Sequence, residues 1–167
     1  GSKAMVCCLI GLATLANSMA AIRKLIFDDK IITMSQLMHA LETNFEDEST
    51  TPSGPAIRGM CRSAPKYGND DPYVDNIAKD CLNILSKEMW KYETAPGMGY
   101  GAVVSPVTAH ISLGMGTGAT PDGRKARSPL SDACSPAQGT EVNGPTAAIK
   151  SVSHLEHVNL SQGSVLN

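Results

Sequence analysis

The stretch AMVCCLIGLATLANSMAAI, residues 4–22, runs for nineteen residues without a charge. Its length is close to the ~20 residues that cross a bilayer. Gly11, Thr14, Asn17 and Ser18 interrupt it, however, and no aromatic belt flanks it. Met5, Leu9, Leu12, Ala16, Met19 and Ile22 recur in steps of three and four, the period of a helix. The stretch therefore predicts one helix, covered nearly all round in a large soluble protein. Cys7 and Cys8 inside it read as small hydrophobes. No basic segment or small-residue cleavage pattern suggests a signal peptide.

The rest of the composition agrees with an interior origin. The 167 residues carry 14 Lys plus Arg against 16 Asp plus Glu, a net charge of -2. That balance offers no basic patch for nucleic acid or an anionic membrane. Charged residues make up 18% of the chain, against about 25% in average domains. A free domain of this size needs a more strongly charged, solvated skin. The five cysteines are odd in number, contain no C-x-x-C, and read as reduced thiols of a cytoplasmic protein.

Outward from the first stretch, Thr33 and Gln36 form a capping box for a second helix with Met34, Leu37, Met38, Leu41 and Phe45 on its apolar face. EDESTTPSGP, residues 46–55, reads as an exposed loop. Asp70-Asp71-Pro72 caps a third helix whose buried stripe is Val74, Ile77, Ala78, Cys81, Leu85 and Met89. Beyond Trp90 the texture changes. No charge occurs between Glu93 and Asp122, and β-leaning runs lie at Val103-Val104 and from Val107 to Leu113. Short apolar runs such as Ala147–Val152 suggest short strands between Gly-, Pro- and Ser-rich loops. Residues 1–92 thus read as mainly helical and 93–167 as a strand and loop segment.

Few residues point to chemistry on their own. Gly114-x-Gly116-x-Gly118 lacks the G-x-G-x-x-G spacing that brings a helix N-terminus to a pyrophosphate. GATPDGRK, residues 118–125, has Arg124 at the P-loop lysine position and no hydroxyl after it, and reads as a turn whose Arg pairs with an acid such as Asp132. His154, Glu156 and His157 lack a third metal ligand and read as a solvated helix end. His110 reads as a satisfied core residue on a β-like run.

As an ordered set, the motifs are more specific. GATPDGRKA (118–126), PLSD (129–132), Ser135-Pro136, GTE (139–141), NGPTAAIKSV (143–152) and GSVLN (163–167) follow one another. Upstream stand NSMAAIRKL (17–25) and APKYGNDD (64–71). This succession resembles the pyruvate formate-lyase-like glycyl radical enzymes, in their dehydratase and decarboxylase branch, over essentially the whole chain. The resemblance implies a late part of a ten-stranded α/β barrel made of two antiparallel five-stranded halves and wrapped by helices. It implies a lyase that eliminates from or cleaves a small molecule through a glycyl radical, installed by a radical S-adenosylmethionine activase. A homodimer in the cytoplasm is implied for the full-length protein.

The family's catalytic cysteine loop is expected before Gly1, and its radical glycine motif after Asn167. Cys7-Cys8 resembles the adjacent pair of pyruvate formate-lyases but stands elsewhere relative to the Ala-Ile-Arg-Lys helix, so no role passes to it. The isolated chain is accordingly expected to be inactive, with no catalytic residue and no metal ligand of its own. Ser164 and Leu166 (or Val165 and Asn167, one register off) are the candidates for lining the substrate cavity, because alternate residues of a barrel strand face inward. Arg124, Asp132, Ser135, Pro136, Gly144 and Pro145 read as architectural. Two other classes stay open at this point: a non-catalytic interaction module, and a weak nucleotide-binding domain.

Overall fold

The computed structural model describes residues 5–95, 98–104, 108–157 and 166. The uncharged stretch is not one helix. It forms a strand, β1 (Met5–Cys8), and a helix, α1 (Leu12–Ile22). Gly11 stands between them at φ 88°, a left-handed conformation that breaks the direction of the chain. The helical spacing of Met5 and Leu9 with Leu12 is therefore coincidental. Cys7 and Cys8 are exposed on β1, not buried in a helix.

The helix α1 is covered on most sides, as the sequence predicts for the helical part of the stretch. Leu12, Ala13, Ala16, Asn17, Ala20 and Ala21 are buried, while Leu15 and Met19 remain 42% and 45% exposed. Small residues line the covered face, so α4 (Pro72–Met89) can approach α1 closely. Between these two helices lies the larger core, with Leu12, Tyr67, Val74, Ala78, Leu82, Val104 and Cys134.

After a π-helical turn at Arg23–Asp28 comes α2 (Met34–Glu42). Its capping box is the one the sequence predicts: Gln36 N–H donates to Thr33 Oγ1 at 3.2 Å, and Thr33 N–H donates to Gln36 Oε1 at 2.8 Å. Leu37 and Ala40 face inward, and Phe45 is buried just past the helix, but Met34 and Met38 are exposed. Next comes α3 (Gly54–Ser63), capped by Ser53 with Pro55 in its first turn; its first two residues fall in the 46–55 stretch read as a loop, and the sequence reading assigns no element to the rest. Ile57 and Cys61 bury its face against the second core, built on Leu25, Leu37 and Phe45.

The helix α4 starts as predicted, with Asp71 accepting from Tyr73 N–H at 2.9 Å. Its most buried positions are Val74, Asp75, Ala78, Leu82 and Ser86, with Ile77, Cys81 and Leu85 flanking them. Two strands follow, β2 (Glu93–Ala95) and β3 (Met98–Val103). The order in the sheet is β1-β3-β2. The pair β1 and β3 is parallel, from Met5 opposite Tyr100 to Cys8 opposite Val103, while β2 and β3 are antiparallel. A parallel pair needs a long crossover, and α1 to α4 supply it.

Two further helices occupy segments read as strands. Of the run Val107–Leu113, residues 109–113 are helical, within α5 (Ala109–Met115), and Val107 lies outside the described residues. Ala147–Val152 lies within α6 (Pro145–Ser153), opened by Gly144 and Pro145. In both cases a short apolar run fits strand and buried helix equally well, so periodicity cannot separate them. Among the described residues the architecture is mixed α/β with three strands, and no barrel closes.

Candidate functional site

The loops after α5 fold back on the helices and leave a cleft of about 1370 Å³. Its walls come from Thr14 of α1, the C-terminal half of α3, the 63–66 segment, α5, the Gly-rich loops and α6. Reciprocal bonds fix the loop to the start of α1: Thr14 N–H donates to Ser131 Oγ at 3.0 Å, and Ser131 N–H donates to Thr14 Oγ1 at 2.9 Å. Leu130 N–H donates to the His110 carbonyl at 3.1 Å.

The GATPDGRK segment is a clasp rather than a phosphate cradle. Asp122 Oδ1 accepts from Thr120 Oγ1 at 2.6 Å and from Arg124 N–H at 3.2 Å. The Arg124 guanidinium donates to the carbonyls of Ser128 (2.6 Å), Lys125 (3.1 Å) and Gly118. It therefore does not pair with Asp132. A planar fork of five donors suits several carbonyls at once, and this is how one arginine closes a loop. Of the glycines at 114, 116 and 118, Gly114 is the one whose Cβ would clash with backbone: it would lie 2.7 Å from Pro129 Cα, against an ordinary 3.7 Å contact with the Leu113 carbonyl at Gly116 and nothing within 4 Å at Gly118.

Asn69, in the KYGND motif, pins the far rim. Its Nδ2 donates to the carbonyls of Lys66 and Thr140 at 3.0 and 2.9 Å, and its Oδ1 accepts from Val142 and Asn143 N–H at 2.8 and 3.1 Å. Net bonds of this kind contribute ~1 kcal/mol or less each where partly solvated. Asn69→Ala should therefore lower stability by about 1.5 kcal/mol, seen as an earlier urea midpoint with an unchanged slope. An unchanged midpoint would show that the rim is held by other contacts.

Inside the cleft, Lys66 Nζ donates to the carbonyls of Cys61 (2.7 Å) and Ala64 (3.0 Å). Burial pulls its pKa down, and the nearby Asp122 charge opposes that shift. Burial pushes the Asp122 carboxyl up, against its hydrogen bonds from Thr120 and Arg124. Burial also pushes the Cys61 thiol up to about 11, so it stays protonated at neutral pH and offers no thiolate. His110 Nδ1 faces Asp132 Oδ1 at 3.3 Å. The sequence reading missed this pair, since twenty-two positions separate the two residues and no motif links them. Leu166, 36% exposed, lines the cleft, while Ser164, Val165 and Asn167 lie outside the described residues. At the α6 end, Glu156 pairs with Lys79 at 2.8 Å and His157 Nε2 meets the Val152 carbonyl at 2.8 Å. No group of three His, Cys, Asp or Glu among the described residues could hold a metal ion. None of the described helices is long and apolar enough to cross a membrane.

Residues 2–114 match the family profile described as pyruvate formate lyase-like. The chain belongs to this family. Within the pyruvate formate lyase-like family, it is 42% identical over 142 residues to the isethionate sulfite-lyase of Nitratidesulfovibrio vulgaris, covering 85% of this chain and 16% of that protein. It is 36% identical over 158 residues to the trans-4-hydroxy-L-proline dehydratase of Clostridioides difficile, covering 95% of this chain and 19% of that protein. Among solved structures, the glycerol-bound glycerol dehydratase of Clostridium butyricum superposes on 100% of this chain and 21% of its own, with TM-score 0.89 and 36% identity. A glycyl radical enzyme of Archaeoglobus fulgidus covers 98% of this chain with TM-score 0.87 and 28% identity. The chain spans about a fifth of the length of these relatives. The relatives are glycyl radical enzymes of the dehydratase and lyase kind, as the motif order implies.

Proposed function

We propose that these residues are part of the barrel wall of a glycyl radical lyase. The whole protein would carry out radical-based elimination or C–C, C–O or C–N cleavage on a small molecule, in the manner of the dehydratases or decarboxylases. The similarity that spans the entire chain, at 36% identity to a glycerol dehydratase, carries this reading. The parallel pairing of β1 with β3 supports it, because β1 has a neighbour on one side only among the described residues. Further strands on that free edge are what a ten-stranded barrel requires.

The radical, once installed on a glycine by a radical S-adenosylmethionine activase, supplies reversible hydrogen-atom abstraction. This chain's own residues do something different. They exclude water and stray hydrogen donors from the chamber. The low charge, the small-residue face of α1 and the Arg124 clasp all suit a sealed wall. In this reading residues 1–92 supply the helical wrap, and residues 93–167 the inner strand and loop segment. Ser164 and Leu166 line the substrate cavity, and the position of Leu166 on the cleft is in keeping with that. The active protein is a homodimer in the cytoplasm and binds neither nucleic acid nor membrane.

The test is an anaerobic assay of the protein as its gene encodes it, activated by its activase. Isethionate, glycerol and trans-4-hydroxy-L-proline are the substrates to offer, alongside pyruvate with coenzyme A. Consumption of a hydroxylated substrate is expected. Turnover of pyruvate with coenzyme A alone would contradict the dehydratase-type reading.

A further inference from the structure

Four cations gather around Gly123 on the cleft wall. Arg58 Nε donates to the Gly123 carbonyl at 3.0 Å. The stem of Arg62, one helical turn on, packs against the same residue: a Cβ at Gly123 would lie 2.5 Å from Arg62 Cγ. Arg124 follows Gly123 in the chain. Lys66, just past α3, feels the charges of both Asp122 and Arg62, and the Arg62 charge adds to burial in lowering its pKa. All four cations line the cleft. Among the described residues none of them forms an ion pair, whereas the neighbouring Lys125 pairs with Glu46 at 3.0 Å. The carboxylate beside them, Asp122, accepts from Thr120 Oγ1 and Arg124 N–H. The other acids of the lining, Asp71, Asp132 and Glu141, belong to the start of α4 and to the loops beyond Pro129.

Two of the four cations have their donors committed. Lys66 Nζ serves the Cys61 and Ala64 carbonyls, and Arg124 closes its own loop. Arg58 uses only Nε, and Arg62 donates to no acceptor among the described residues. The helix dipole does not account for Arg58, because that field fades within the last turn and α3 runs on to Ser63. Like charges four residues apart on a helix repel, and an anion between them removes the repulsion. Guanidinium forks match the paired oxygens of carboxylate and phosphate groups. The two arginines also border a second hollow of about 440 Å³, but Glu46 and Glu48 line it and oppose an anion there.

We propose that Arg58 and Arg62 form an oxyanion site on the α3 side of the cleft, taking a carboxylate, sulfonate or phosphate group of a small molecule. The Arg58 Nη groups and the Arg62 guanidinium donate to it, while Lys66 and Arg124 add charge. The site goes beyond the lyase reading and does not rest on it.

The experiment is calorimetric titration of the protein as its gene encodes it, in excess sodium chloride so that attraction to charge alone is already satisfied. The probes are sulfate and acetate, each matched to a neutral molecule of similar shape, dimethyl sulfone and acetamide. The tighter of the two anions tells a tetrahedral group from a carboxylate. It is expected to bind with a Kd of ~1 mM, the affinity that two charge-assisted bonds support, and at least tenfold more tightly than its neutral counterpart. Arg62→Gln is expected to weaken it about tenfold, and Arg62→Lys, which keeps the charge and loses the fork, about threefold. Lys91→Gln, which removes a positive charge paired with Glu88 away from the cleft, should change nothing. Arg62 makes no hydrogen bond among the described residues, so its variants are expected to fold, and near-ultraviolet circular dichroism checks this. Should Arg62→Gln prove unfolded, Arg62→Lys decides. Binding of the anions no tighter than of the neutral molecules overturns the proposal. So does unchanged affinity in a folded Arg62 variant, or an equal loss in Lys91→Gln. The titration needs no radical, so its failure and that of the lyase reading are distinguishable.

Discussion

Gly114→Ala is expected to cost at least ~3 kcal/mol, while Gly118→Ala, four residues on, should be near neutral. The two glycines sit in the same G-x-G-x-G run, so a nucleotide-binding loop would need both. In this fold they differ. A Cβ on Gly114 would press into the Ser128 carbonyl and lie 2.7 Å from Pro129 Cα and 2.9 Å from Leu130 N. These are backbone atoms of the loop that the Thr14–Ser131 bonds tie to α1, so relief requires the whole loop to shift. At Gly118 no atom stands within 4 Å. Urea unfolding of both variants checks this, and equal midpoints for the two would show that α5 does not pack on the 128–130 segment as described.

The second large effect concerns Asp75. The residue is 0% exposed in the core between α4 and α6. Its Oδ2 accepts from Ser151 Oγ at 2.8 Å, and its Oδ1 has no hydrogen-bond donor among the described residues. Burial is the main cause that holds its pKa above the ordinary 3.8; Asp71 and Asp70 push the same way, against the Ser151 hydrogen bond and any charge on His154. The folded state therefore binds the proton more tightly than the unfolded chain. Stability from this group is complete below about pH 3.8 and is lost as pH rises through the folded value, after which it stays flat. Asp75→Asn keeps an acceptor for Ser151 and removes the buried charge, so at pH 7 it should gain about 2 kcal/mol and flatten the pH dependence. A loss of stability at pH 7 instead would mean that Asp75 is ionised and paired in the folded protein.

The sequence made the polar signals legible and the apolar ones ambiguous. Thr33 with Gln36, and Asp71 with Pro72, announce the starts of α2 and α4, because a cap is a local exchange between side chain and backbone. The uncharged 4–22 stretch does not announce its own break. The same residues satisfy a helical stripe and a strand followed by a helix, and only Gly11, in a left-handed conformation, separates them. Likewise α5 and α6 hide in short apolar runs, and α3 in a region whose acidic, Pro-containing lead masks the Ser53 cap. Within α1 the apolar series does not show which positions stay open: Leu15 and Met19 are large but exposed, and the small Ala13 and Ala16 are buried, since close helix approach selects size rather than hydrophobicity.

The site followed a similar division. Motif order pointed to the family, and the relatives bear it out. Arg124 was recognisable as structural, but its partners were not, because they are backbone carbonyls that no side-chain pattern reveals. His110 and Asp132 meet only through the fold.

Electron paramagnetic resonance of the protein as its gene encodes it, activated without oxygen by its radical S-adenosylmethionine activase, tests the lyase assignment most directly. A glycine-centred doublet that decays on exposure to air is the predicted result. A fully activated sample with no such doublet would contradict the account.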